Sequence, residues 1–163
     1  MARSRSPKLL GDFGEGLVSY ALIRKGFEIA IVDHVGADLI AEKNGKRFAV
    51  SVKTRLFKPG SKESLSFVVE REHIEKLNHF AKQWDMVPLF ALVLCLSDER
   101  TIHLLVIRSA DLSKLHEAKH GFSFRFSKSA RQKLLQQPFL DYSCWTGETI
   151  GKGDFAETAC SPN

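Results

Sequence analysis

An aspartate, a serine and a lysine stand in two neighbouring stretches of the chain: Asp38 in "GADLIAE", and Ser51 and Lys53 in "RFAVSVKTR". Residues 47–55 alternate as a strand does, so Phe48, Val50 and Val52 share one side and Ala49, Ser51 and Lys53 the other. The Phe/Val side reads as core. The Ala/Ser/Lys side reads as small and polar, with space in front of it. Asn44-Gly45 is a hairpin turn signal that folds the Asp38 region against the Ser51–Lys53 region. The stretch "LFKPGSKESLS" follows, polar and basic, with Pro59-Gly60 at its centre. An acid and a lysine at one end of a sheet beside such a loop suit work on a phosphodiester. Cleavage there needs a divalent cation held by hard oxygens, a positioned water and charge relief on the phosphate. A carboxylate from each of two strands plus a backbone carbonyl can hold Mg²⁺. A lysine beside them can orient or help deprotonate the water and stabilise the developing charge.

The elements that must position these residues follow from periodicity. Phe13, Leu17 and Ala21, broadened by Val18 and Leu22, predict a helix from about Gly11 to Lys25, closed by Gly26. Asp12 is its cap and Glu15 lies in its first turn, where an acid also favours the helix dipole. Strands are predicted at 27–32, 37–42 and 47–55, then a loop, then a helix from about Val69 to Trp84. "VPLFALVLCL" reads as a central buried strand and "TIHLLVI" as another. Beyond these, a capped helix is expected from Ser109 or Asp111, a strand at 122–127, and a short helix that Pro138 ends. Trp84 and Trp145 are expected to pack rather than to stack on bases. Residues 1–8 read as a flexible basic arm, and 146–163 as a flexible tail with little to bury. The order predicts one α/β domain over 1–145, with a mixed sheet flanked by helices.

Composition is that of an ordinary globular chain: 163 residues, 44% hydrophobic and 26% charged. The three cysteines are far apart and form no paired-cysteine zinc site, and the six histidines have no metal-ligand spacing. No apolar run approaches the roughly 18 residues of a membrane helix, and the N-terminus lacks the apolar stretch of a secretory signal. A cytoplasmic chain with no membrane contact is expected. The net charge is +5, and residues 1–62 carry 12 Lys/Arg against 6 Asp/Glu. This surplus lies in the segment that holds Asp38 and Lys53, as a partner with a phosphate backbone would require. Arg55, Lys58 and Lys62 are the candidate phosphate contacts; their plain reading is a loop kept soluble.

Three motifs in order resemble the PD-(D/E)xK nuclease superfamily, nearest to its Holliday junction resolvase and restriction-endonuclease-like branch. They are Gly-x-x-Gly-Glu at Gly11, Gly14 and Glu15; Gly-x-Asp-Leu-Ile at Gly36, Asp38, Leu39 and Ile40; and Val-Lys-Thr-Arg at residues 52–55. The resemblance covers about residues 11–96. It implies an αβββαβ core with a C-terminal extension, and a metal-dependent endonuclease acting on DNA, using Mg²⁺ and often dimeric. Carried over by position, Asp38 is the metal-binding aspartate, Lys53 the catalytic lysine and Glu15 the accessory acid of the helix. Ser51 departs from the pattern, since it stands where the superfamily has a second metal-binding Glu or Asp. A minority of these enzymes carry Ser-x-Lys and recruit a glutamate from the next helix. Here Glu70, Glu72 and Glu75 offer that acid, Glu70 first, 17 residues after Lys53; their plain reading is a solvated helix face. The alternative is a nuclease fold that has lost cleavage through Ser51 and binds nucleic acid or a protein.

Overall fold

The computed structural model describes residues 6–58 and 65–146. Residues 1–5 of the predicted arm (1–8), Lys62, and residues 147–163 of the predicted tail (146–163) lie outside these residues.

Helix α1 (Ser6–Arg24) starts earlier than its apolar periodicity suggests and takes in residues 6–8 of the expected arm, so Asp12 lies inside the helix instead of capping it and Glu15 lies beyond its first turn. Pro7 sits in the first turn, where a missing N–H costs no helical hydrogen bond. Gly26, at φ 80°, turns the chain into strand β1 (Glu28–His34). Strand β2 (Ala37–Lys43) and strand β3 (Lys46–Phe57) form the predicted hairpin, with Asn44 and Gly45 both at positive φ. Strand β4 (Ser66–Glu70) precedes helix α2 (Arg71–Gln83), and strands β5 (Val87–Leu96) and β6 (Thr101–Arg108) follow. A 3₁₀ helix (Ser109–Lys114) leads to strands β7 (His116–Ala118) and β8 (Gly121–Arg125), helix α3 (Lys128–Leu135) and strand β9 (Leu140–Thr146).

Six strands form one mixed sheet in the order β1-β2-β3-β5-β6-β9, in which β3 and β5 alone run parallel. Both faces are covered. Leu17, Val18, Ala21 and Leu22 of α1 pack with Leu39, Val50, Val52, Ala91 and Val93 on one side. Leu77, Phe80 and Ala81 of α2 pack with Ala49, Phe57, Phe90 and Leu92 on the other. The apolar run of β5 is thereby buried from Leu89 to Leu96, as its lack of alternation predicts.

Three elements differ from the sequence reading. The segment taken as loop and helix start contains β4, whose Phe67 and Val69 point into the core while Val68 stays exposed. The helix expected after Ser109 is a single 3₁₀ stretch followed by β7, and β4, β8 and β7 join as a separate three-stranded sheet. Strand β9 was not foreseen and closes the main sheet against β6; it includes Thr146, which was assigned to the tail. Trp145 is buried at 2% exposure as expected, whereas Trp84 is 51% exposed at the end of α2.

Candidate functional site

Register places the candidate residues at one end of the sheet. The β2–β3 ladder runs from Lys43↔Lys46 to Leu39↔Val50, so the next step brings Asp38 level with Ser51. There the Asp38 side chain takes over from the backbone: its Oδ2 accepts the Val52 N–H at 2.6 Å. A carboxylate held by a backbone donor is fixed in direction, which a metal ligand or a charge partner needs.

The face that carries Ser51 and Lys53 is not the open polar face expected from alternation. Ala49 and Phe57, on the same side, belong to the core beneath α2, and Ser51 is 5% exposed. Only towards Lys53 does the strand emerge, and Lys53 is half-buried. Its ammonium has no hydrogen bond or ion pair with the described residues. A cation so placed is available to a ligand.

Glu15 reaches the same region from the opposite layer. Its helix lies close on β3: a Cβ at Gly14 would overlap Oγ1 of Thr54, so only glycine lets α1 approach the strand there. Burial raises the Glu15 pKa above its ordinary value, and the charges of Asp38, Asp12 and Asp33 raise it further, against Lys8. The Asp38 charge therefore acts on Glu15. Carboxylates that repel one another are the setting a cation relieves.

The other candidates sit elsewhere. Glu70 ends β4 in the second sheet, with His73 Nδ1 3.7 Å from its carboxylate, and it lines a surface cavity with Arg71, Glu72, Lys119 and His120. It is absent from the charges that shift Glu15. Glu72 pairs with Lys76 one turn along. Arg55 donates from Nη1 to the Ser66 carbonyl at 3.1 Å and lies over the Phe57 ring, tying β3 to β4, and Lys58 is exposed at the end of β3.

Among the described residues no three of His, Cys, Asp and Glu gather closely enough to hold a metal ion. The donor set that remains, Asp38 and Glu15, suits Mg²⁺ better than a metal needing a full protein cage. Mg²⁺ keeps several waters and commonly takes one or two carboxylates together with substrate phosphate. When bound it would supply a Lewis acid at the phosphate. Ser51 adds a neutral oxygen and no charge.

One polar cluster was missed by sequence reasoning. His103 of β6 is 3% exposed, with Tyr142 Oη 2.8 Å from Nδ1 and Thr101 Oγ1 2.8 Å from Nε2. Arg131 Nη1, held by Glu99 at 2.9 Å, lies 3.3 Å from Nε2. An arginine only donates, so Nε2 accepts and the proton sits on Nδ1, towards Tyr142. Burial, with the Arg131 charge behind it, pushes the His103 pKa down to about 3. The missing clue was the partner strand: Tyr142 comes from β9.

The chain is similar in structure to Hjc, a Holliday junction resolvase from the archaeal hyperthermophile Archaeoglobus fulgidus. The match has a TM-score of 0.51 at 18% identity and covers 71% of this chain and 83% of that one. The two share a nuclease fold. No protein-family model matches the sequence, and no curated protein matches it. Among the described residues no helix is long and apolar enough to cross a membrane.

Proposed function

We propose that the protein is a metal-dependent endonuclease acting on DNA. The observation that carries the reading is Asp38, held by the Val52 N–H of the strand that carries Lys53, in a fold like that of a resolvase, with its charge acting on Glu15 of the helix packed on that strand. In this reading Asp38 and Glu15 hold Mg²⁺. Asp38 is aimed by the Val52 N–H, and Glu15 by the close approach of α1 at Gly14. The Lys53 ammonium orients the attacking water and offsets charge growing on the phosphate. Arg55 and Lys58, with Lys62, contact the phosphates that flank the scissile bond. A dimer would present two such sites to two strands.

Ser51, and the absence of a third acidic ligand among the described residues, favour one other reading, a nuclease fold that binds DNA without cutting it. One experiment separates the two. The protein is incubated with linear duplex, four-way-junction and single-stranded DNA, with Mg²⁺ or Mn²⁺ and with a chelator. Metal-dependent cleavage abolished by Lys53→Ala supports the nuclease. Cleavage that survives Lys53→Ala removes the assigned site. No cleavage of any substrate, with a salt-dependent gel shift, leaves the binding protein.

A further inference from the structure

The second sheet changes where positive charge is found. Residues 108–133 carry 7 Lys/Arg against 2 Asp/Glu, a local surplus that the near-neutral C-terminal part conceals as a whole. The carboxylates around this surplus are occupied. Asp111 holds Arg108 and Lys114, Glu117 holds Arg71, Glu99 holds Arg131, and Glu70 and Glu72 face His73 and Lys76. Lys119, Arg125 and Lys128 are exposed, and none of them meets a carboxylate of the described residues.

Their placement is ordered. In β8, Phe124 faces the core and stacks on Phe67, so Ser123 and Arg125 point outward. Register sets Arg125 opposite Ser66 and Ser123 opposite Val68 on β4. Lys119 stands at the β7–β8 turn, at the far end of β8, and Lys128 begins α3 three residues after Arg125. The outward face therefore carries Ser66, Ser123 and the exposed Val68, with Arg125 at one end of β8 and Lys119 at the β7–β8 turn, where Val68 and Lys119 line a surface cavity. It is also continuous with the candidate site, because Arg55 of β3 donates to the carbonyl of Ser66.

We infer that this outer face of β4–β8–β7 is a second nucleic-acid surface, which holds the sugar–phosphate backbone of a DNA arm leading away from the site strand. Spaced cations and serine hydroxyls on an open sheet face match a line of phosphates. Such contacts fix position without reading bases. The inference rests on the DNA-acting reading of the site and adds to it where the substrate runs.

The test is binding of fluorescein-labelled duplex and four-way-junction DNA by the intact protein in chelator, so that no cutting occurs, over a series of salt concentrations. The Lys119→Ala/Arg125→Ala/Lys128→Ala variant should bind at least about tenfold more weakly. Its salt slope should fall by about 2.7, from roughly 0.9 for each phosphate contact removed. Lys119→Arg/Arg125→Lys/Lys128→Arg, which keeps the charges, should bind like the parent. An alanine variant with unchanged affinity and slope overturns the inference. So does equal weakening in the charge-keeping variant, or a parent that binds a labelled acidic peptide through these residues and no DNA. Cleavage assays on the same variants keep the two proposals apart. Charge-dependent binding without any cleavage would sustain this surface and remove the nuclease, whereas cleavage with unaltered binding by the alanine variant would do the reverse.

Discussion

Around His103 every polar group is answered by another, whereas around Glu15 like charges crowd together. The histidine sits between Tyr142 and Thr101, with Arg131 and Glu99 completing the set, and Phe126 lies edge-on to its ring. Its pKa falls because burial disfavours the charged ring, and the Arg131 charge disfavours it further. Glu15 has Asp38, Asp12 and Asp33 for neighbours, and its pKa rises. A buried network whose partners are all present fastens a fold together; here it ties β6, β9 and α3. The acids around Glu15 oppose its ionisation, with the Lys8 charge acting against them. The two clusters differ in how fully their polar groups and charges are matched.

Variants can break this contrast from each side. The largest effect is expected at Lys53: Lys53→Ala should lower the cleavage rate by about 10²–10³-fold, the scale of one lost electrostatic contact in a transition state. Its melting temperature should hold, because no described partner is lost. The reverse pattern is expected at His103. His103→Ala strands the Tyr142 and Thr101 hydroxyls and opens space beside Phe126, so denaturant titration should show a loss of about 2–4 kcal/mol, with the cleavage rate per folded molecule unchanged.

The same histidine sets a pH dependence. Its folded pKa of about 3 lies below its ordinary value of 6.5, so the unfolded chain binds the proton more readily. Stability is complete above pH 6.5 and falls as the pH drops from there towards 3. His103→Gln should flatten that part of the profile.

Gly14→Ala should cost about 1–3 kcal/mol through its overlap with Thr54, and Thr54→Ala should recover part of the loss. Full stability in Gly14→Ala would show that α1 can lift away and that Glu15 is not held against β3. A smaller and opposite effect is expected at Glu15. Its raised pKa means that ionisation opposes folding above its ordinary value, so Glu15→Gln should raise the melting temperature of the metal-free protein slightly at neutral pH. Mg²⁺ should then raise the melting temperature of the parent more than that of the variant. The smallest effect is expected at the exposed pair of Lys25 and Asp141, 2.7 Å apart, where Asp141→Asn should change stability by under about 1 kcal/mol.

Much of the site was legible along the chain because its residues come from local units. The Asn44-Gly45 hairpin sets β2 against β3, and period-two alternation assigns Ser51 and Lys53 to one face, so Asp38 and Ser51 meet without any distant contact. The helix at Glu15 and the buried β5 likewise follow from periodicity. The character of the Ser51 face was not legible, since α2 and not the strand decides how much of it water reaches.

By itself, then, the sequence determined the α/β core and the hairpin register that sets Asp38 level with Ser51, because period and turn chemistry act over a few residues. Tertiary structure alone decided three further things. It packed α1 onto β3, where the Asp38 charge acts on Glu15, and it joined His103 to Tyr142 through a strand nearly forty positions away. It also set Arg125 opposite Ser66 in the second sheet. Each depends on which surfaces the chain buries against one another, and that choice is made by the packing of the whole domain, beyond the reach of any local pattern.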